Sequence, residues 1–320
     1  MKTCLMIEGQ ENVTWQQWTA LAAACEANGF DALFRSDHYT SLSGQATQDG
    51  TLDAWTTLAG LAAVTTTLRL GTLVSPVTFR HPSLLAKSVV TVDHISGGRV
   101  ELGMGAAWND DEHRQFGFSF PPAAERMSIL EEQVEIVHRL WNEDTVTYEG
   151  QHYRLDACRA LPKPVQDPHP SLLIGGQALP RSVALAVRWA DEYNLDYATA
   201  DGVRERRHRL DAACESAERD PATLTLSIMA LCLIGSDRAD LEAKTRRLMA
   251  LQGEQGDPAA YLETQLSEGA VCGTPDQVLE QLAQLADAGL ERIMLQHLVH
   301  DDIESVELIG REVIPQALTL

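Results

Sequence analysis

No apolar run in the 320 residues approaches the roughly 18 needed to span a bilayer, so a membrane helix is not expected. Nor does the start read as an export signal, because Met1-Lys2 leads into a short apolar segment that already carries Glu8. Cysteine is sparse, six in all (Cys4, Cys25, Cys158, Cys214, Cys232 and Cys272), and no C-x-x-C pair occurs. That pattern predicts reduced, mostly buried thiols in a cytoplasmic protein. Positive charge is short as well: 25 Lys and Arg stand against 46 Asp and Glu, a net of −21, which argues against nucleic acid or anionic membrane as a partner. A small anionic ligand is still allowed, since backbone N–H groups and one or two Arg can hold it locally. Also missing are H-E-x-x-H, G-x-S-x-G and G-x-x-x-x-G-K-[ST], so zinc, serine-hydrolase and P-loop chemistry have no motif here.

What is present is a repeating grammar. With 44% hydrophobic and 22% charged residues the chain is globular and long enough for one large or two ordinary domains. Apolar Cys4–Ile7 is followed by Trp15, Trp18, Leu21, Ala22 and Cys25 at helical spacing, then Asn28-Gly29, then the buried-strand segment Phe30–Phe34. The same order recurs late, where Thr274-Pro275-Asp276-Gln277 forms a capping box and Gly289 precedes a strand over Arg292–Leu298. Further strands are predicted at Leu68–Leu73, Val100–Met104, Leu172–Ile174, Glu192–Leu195 and Thr225–Ile234. Helices are predicted at Asp53–Ala63, Ser83–Asp93, Arg126–Trp141, Arg181–Ala190, Val203–Arg219, Arg238–Leu251 and Asp302–Gln316. About eight βα units without clean strand alternation predict a parallel (β/α)8 TIM barrel, one domain over 1–320. Two stretches fall outside a minimal barrel: a hairpin insertion near 143–165 and a helix-plus-loop excursion near 252–272.

Barrel chemistry sits after the C-terminal ends of the strands. After the second strand comes Asp37-His38 and then the polar loop Thr40–Gly50; a carboxylate beside an imidazole suits proton transfer near neutrality, and equally suits a loop cap beside a satisfied histidine. After the third, Gly71–Pro82 contains Pro76 and Pro82, which aim backbone groups at the mouth or merely stiffen a loop. After the fourth, Gly103 and Gly105 leave room for a flat ligand, while Asp110 and Asp111 read as a solvated run before the next helix. After the fifth, Gly175-Gly176-Gln177 opens a helix holding Arg181, a candidate phosphate cradle. His297, His300, Asp301 and Asp302 cluster, as do Asp110, Asp111, Glu112 and His113, but neither has a metal-ligand spacing, so no metal is expected. Phe79, Met104 and Trp108 could line an apolar pocket or belong to the core.

Gly29–His38, Leu70–Pro76, Ser96–Gly105, Trp108-Asn109 with Glu112–Phe118, and Ile174-Gly175-Gly176 with Trp189–Asn194 together resemble the bacterial luciferase-like superfamily, in order, over residues 1 to about 200. The resemblance implies a (β/α)8 barrel, usually dimeric, that binds the deazaflavin coenzyme F420 or flavin mononucleotide (FMN) at its mouth. Ser36-Asp37-His38 places the chain nearer the F420 branch. There the resemblance implies a non-proline cis peptide around Val74-Ser75, with Leu73, Val74 and Ser75 supporting the ring. Asp37 and Asn109 would contact the cofactor, Gly175, Gly176, Gln177 and Arg181 would meet its phosphate, and His38 with Asp37 would be catalytic. The implied function is F420-dependent hydride transfer to or from a small organic substrate. An FMN monooxygenase, a metal-dependent barrel hydrolase and a non-catalytic cofactor binder are the alternatives. One departure is Ala106, which stands where the sugar-phosphate dehydrogenases of the superfamily carry an acid/base glutamate; it argues against glucose 6-phosphate oxidation.

Overall fold

A computed structural model describes residues 1–42 and 50–320; positions 43–49 of the loop Thr40–Gly50 lie outside the described residues. The strands are β1 (Lys2–Ile7), β2 (Ala32–Arg35), β3 (Arg69–Pro76), β4 (Val100–Gly105), β5 (Val146–Glu149), β6 (Arg154–Cys158), β7 (Ser171–Gly175), β8 (Glu192–Asp196), β9 (Thr225–Ile234), β10 (Val271–Gly273) and β11 (Arg292–Gln296). Eight of them pair in parallel in the order β9-β11-β1-β2-β3-β4-β7-β8, and β8 pairs back onto β9 to close the predicted barrel.

Helices wrap the outside: α1 (Trp15–Ala27), α2 (Ala54–Val64), α3 (Pro82–Ser96), α4 (Asp110–Phe116), α5 (Ala123–Asn142), α6 (Pro180–Trp189), α7 (Ala200–Ser216), α8 (Arg238–Gln252), α9 (Pro258–Ser267), α10 (Pro275–Asp287), α11 (Ile303–Leu308) and α12 (Ile314–Ala317). Their ends follow the local chemistry. Thr14 and Gln17 form a capping box on α1, and α1 ends at Asn28 with Gly29 at φ +77°, a conformation that glycine adopts cheaply.

Three departures from the sequence expectation have local causes. The last helix, expected as one piece over Asp302–Gln316, is broken by a π-helical turn at Ile309–Val313. Pro315 has no N–H to continue the regular ladder. The 252–272 excursion holds α9 as expected but also β10, which adds a ninth strand along Cys232–Ile234 of β9. Three residues are too few to show a period. The 143–165 hairpin forms as β5 and β6, its turn held by the Glu132 carboxylate, which accepts from the N–H groups of Gln151 (2.7 Å) and Tyr153 (3.1 Å).

Strand alternation divides the core. Cys4, Met6, Ala32, Phe34, Leu73, Leu173 and Met294 form an apolar cluster of their own, while Leu5, Ile7, Leu33 and Leu295 of the same strands join the larger core with the helices. The first set fills the barrel interior, as layered packing requires. At the N-terminal ends of the strands this plug meets Arg292, Glu101 and Glu192. At the C-terminal ends it meets Glu8, Asn194 and Gln296.

Candidate active site

Asp37 and His38 follow β2, and the structure sends them to different partners. Asp37 is buried and accepts from both terminal nitrogens of Arg80 (2.5 and 3.2 Å) and from the Ser75 hydroxyl (2.8 Å). Arg80 also donates to Asp53 (2.7 Å) and to the Tyr39 hydroxyl (3.0 Å), and Ser75 accepts from the Trp55 indole (3.0 Å). One network therefore ties together the loops after β2 and β3 and the start of α2. Burial works against the Asp53 charge, but the Thr56 N–H and Arg80 prevail and hold its carboxyl down at about 2. Asp37 and Ser75 are thus spent on shaping the site, through an arginine that the sequence reading did not single out.

His38 keeps 15% of its side-chain surface exposed, and its Nδ1 lies 2.8 Å from Glu112 Oε2 on α4. Burial disfavours the imidazolium, but the hydrogen bond and charge of Glu112, joined by Glu8 and Asp37, outweigh it and raise the His38 pKa. Nε2 has no partner among the described residues. The exposed ring of Trp108 stands edge-on to the imidazole at 5.7 Å. Met104 is core, and Phe79 packs against Tyr39 and Phe118.

The β3–β4 register slips between Thr72 and Ser75, forming a bulge, and the cis peptide is Leu73–Val74, one bond before the expected place. The neighbouring glycines serve this bulge. A Cβ added at Gly103, Gly105 or Gly175 would lie 2.9, 2.6 or 3.1 Å from a Val74 methyl. Gly103 and Gly105, expected to make room for a flat ligand, thus make room for the chain's own Val74, and Gly103 for the Thr72 carbonyl as well.

At the end of β7 the helix begins three residues beyond Gln177. The Gly176 N–H is taken by the Asn194 carbonyl (3.0 Å), and the Ala178 N–H by the Tyr193 hydroxyl (2.8 Å). α6 starts at Pro180 with no side-chain cap; Pro180 has no N–H and the Val183 N–H goes to the Leu179 carbonyl (3.0 Å), so the N–H groups of Arg181 and Ser182 are the first-turn donors left for an anion. Gln177 is exposed, its amide 3.4 Å from the Asp196 carbonyl. Arg181 turns elsewhere: its guanidinium binds Glu131 (2.9 and 2.7 Å) and the Ala124 carbonyl (3.0 Å), bridging α5 and α6. Asn109 caps α4, accepting from the Glu112 N–H at 3.4 Å. The two His, Asp and Glu groupings of the sequence, from which no metal was expected, lie apart in the fold: Asp301 pairs with Arg247, Asp302 caps α11 and Glu112 goes to His38. Among the described residues no three His, Cys, Asp or Glu converge.

Missed by the sequence reading was the floor of the mouth. Glu8 accepts from Gln10 (2.8 Å) and Gln296 (2.6 Å), and the Tyr197 hydroxyl donates to Gln296. The signal was available, because these residues sit at or just past the ends of β1, β8 and β11. Ala107, Ala178 and Tyr197, each within three residues of the end of a barrel strand, hold φ values of +64°, +53° and +41°. Such backbone is costly for non-glycine residues and tends to collect at functional sites.

The model of the family described as luciferase-like monooxygenase matches residues 3–292. The F420-dependent glucose-6-phosphate dehydrogenase of Nakamurella multipartita is 29% identical over 326 residues, covering 94% of this chain and 92% of that protein. The pyrimidine monooxygenase of Stutzerimonas stutzeri is 25% identical over 336 residues, covering 94% and 89%. The solved coenzyme F420-dependent tetrahydromethanopterin reductase of Methanopyrus kandleri superposes with a TM-score of 0.80 at 19% identity, covering 98% and 99%.

Proposed function

The chain belongs to the luciferase-like monooxygenase family, and from that membership we propose an oxidoreductase that uses coenzyme F420 to move a hydride to or from a small organic substrate, at an activated C=C or C=N bond or, in reverse, at an alcohol carbon. The observation that carries this reading is His38, which is poised at Nδ1 by Glu112, open at Nε2, and set at the rim that also holds the Val74 bulge. Two features suit such a cofactor. The bulge at Leu73, Val74 and Ser75 offers its main chain as a flat support, and the uncapped start of α6 beside Gly175, Gly176 and Gln177 suits a phosphate. Bound there, the deazaflavin would supply two-electron hydride chemistry.

The chain's own part is to orient the substrate and move the proton. His38 holds a proton at Nε2 and gives it to the substrate atom that needs one, or takes it back in reverse. Asp37, through Arg80 and Ser75, keeps the two loops at a fixed distance, and Asn109 lines the rim beside Trp108. Ala106 places no acid after Gly105, which separates this site from glucose 6-phosphate, the substrate named for the Nakamurella relative. Equilibrium titration of the purified protein with oxidised F420 and with FMN, read by fluorescence, tests the reading. F420 should bind at least tenfold more tightly. Tighter FMN binding, together with oxygen consumption, would reverse it in favour of a monooxygenase.

A further inference from the structure

We propose that Glu112 is the positioning residue of the proton site: it fixes the His38 ring with Nδ1–H inward, so that the exchangeable proton sits on Nε2, and it pins the loop after β2 to α4. The inference rests on the reading of His38 as the proton-handling residue.

Glu112 is fully buried in the first turn of α4, and its neighbours Asp110 and Asp111 are exposed to solvent. The amino end of a helix favours a carboxylate, and both oxygens of this one are occupied. Oε2 meets His38 Nδ1 at 2.8 Å, while Oε1 accepts from the N–H groups of Tyr39 and of Thr40, the latter at 3.2 Å. Burial opposes the charge, but these donors prevail and lower the Glu112 pKa, so the side chain is ionised. An ionised carboxylate can only accept hydrogen bonds. His38 must therefore carry hydrogen on Nδ1 in both its neutral and charged forms, and every proton it gains or loses passes through Nε2.

The charged groups facing His38 come from three directions: Glu112 on α4, Glu8 at the end of β1, and Asp37 in its own loop, all of them carboxylates. Only Glu112 touches the ring, so only Glu112 can choose the tautomer. A purely structural role, as a staple for the Tyr39 and Thr40 N–H groups, needs an acceptor oxygen but not a charge. Glu112→Gln separates the two roles. Its amide oxygen can still hold the loop, while its NH2 group faces Nδ1 and can only donate to it, which moves the neutral hydrogen of His38 to Nε2.

The test is nitrogen-15 NMR of histidine-labelled full-length protein, wild type and Glu112→Gln, titrated across pH. The wild type should show the Nδ1–H tautomer and a His38 pKa above about 6.5; Glu112→Gln should show the Nε2–H tautomer and a pKa lower by about one unit or more. Glu112→Asp keeps the charge on a shorter arm and should return the Nδ1–H tautomer, which covers the case of a poorly folded glutamine variant. An unchanged tautomer and pKa in Glu112→Gln would overturn the proposal. Oxidised F420 is then added to the labelled wild type, where it should shift the Nε2 resonance. If Glu112→Gln switches the tautomer but F420 leaves His38 unmoved, the reading of the mouth fails while the assignment of Glu112 stands.

Discussion

The two ends of the barrel interior both carry buried charge, and they use it differently. At the N-terminal end Arg292 is fully engaged: Nε meets Cys4 Sγ (3.1 Å), Nη1 meets Glu101 (2.7 Å) and Glu192 (2.8 Å), and Nη2 meets Asp31 (2.7 Å) and Glu101 (3.0 Å). Arg69 adds a second cation at Glu101 (2.5 Å). No histidine joins this cluster, and burial, against the pull of Arg292, pushes the Cys4 thiol up to about 12, so the cysteine is inert. At the C-terminal end Asp37, Arg80 and Asp53 are equally well paired, but beside them stand a histidine with one open nitrogen and a helix start without a cap. The difference teaches that buried ion pairs do not by themselves mark a site; what the proposed site adds is a histidine nitrogen left unused at the rim.

The sharpest way to break this comparison is to disarm the closed end. Arg292→Met leaves Glu192 buried without its cation and Glu101 with Arg69 alone, and should destabilise the fold by roughly 3–5 kcal/mol in urea denaturation. F420 affinity of the folded fraction should stay unchanged, and a specific loss of binding would put function at the wrong end. His38→Asn should do the opposite, lowering turnover of reduced F420 by about 10²–10⁴-fold while its Kd moves less than threefold; comparable turnover would remove His38 from the mechanism. Gly105→Ala drives a Cβ to 2.6 Å from Val74 and should cost about 1–3 kcal/mol by overpacking. Its F420 affinity should fall, because the bulge must shift, and the double variant with Val74→Ala should recover part of both losses.

A smaller effect follows from linkage. The folded pKa of His38 is raised, so its contribution to stability is complete below the unfolded value of about 6.5 and disappears as pH rises through the folded value. The stability difference between wild type and His38→Asn should therefore shrink with rising pH, and a difference that grows would contradict the sign. The smallest change is expected for Arg181→Ala. This removes a solvent-exposed pair with Glu131, worth about 0.2–1 kcal/mol, and should leave F420 binding intact.

The fold was legible because its signals are local. Thr274 with Gln277 and the glycine after α1 lie within a turn of the ends they mark. His38 could be placed from its position after the second strand, whereas the bulge came only with the family resemblance, and one peptide bond from where it lies. What stayed hidden depends on pairs far apart in the chain: His38 and Glu112 are separated by 74 residues, Asp37 and Arg80 by 43. No spacing reveals such a partner, and Glu112 stood inside an acidic run that reads as solvated. Arg181 misled for the converse reason, since its place after Gly175-Gly176 suits an anion until the fold brings Glu131 within 2.7 Å.

The central claim is that a deazaflavin ring lies against the Val74 main chain with His38 at its edge. Crystals soaked with oxidised F420 test it directly. The account predicts the ring on the Leu73–Ser75 bulge and the phosphate at the first turn of α6. A ring bound instead in the roughly 650 Å³ cavity lined by Phe79, His81, Phe120 and Tyr153, away from the Leu73–Ser75 main chain, would contradict it.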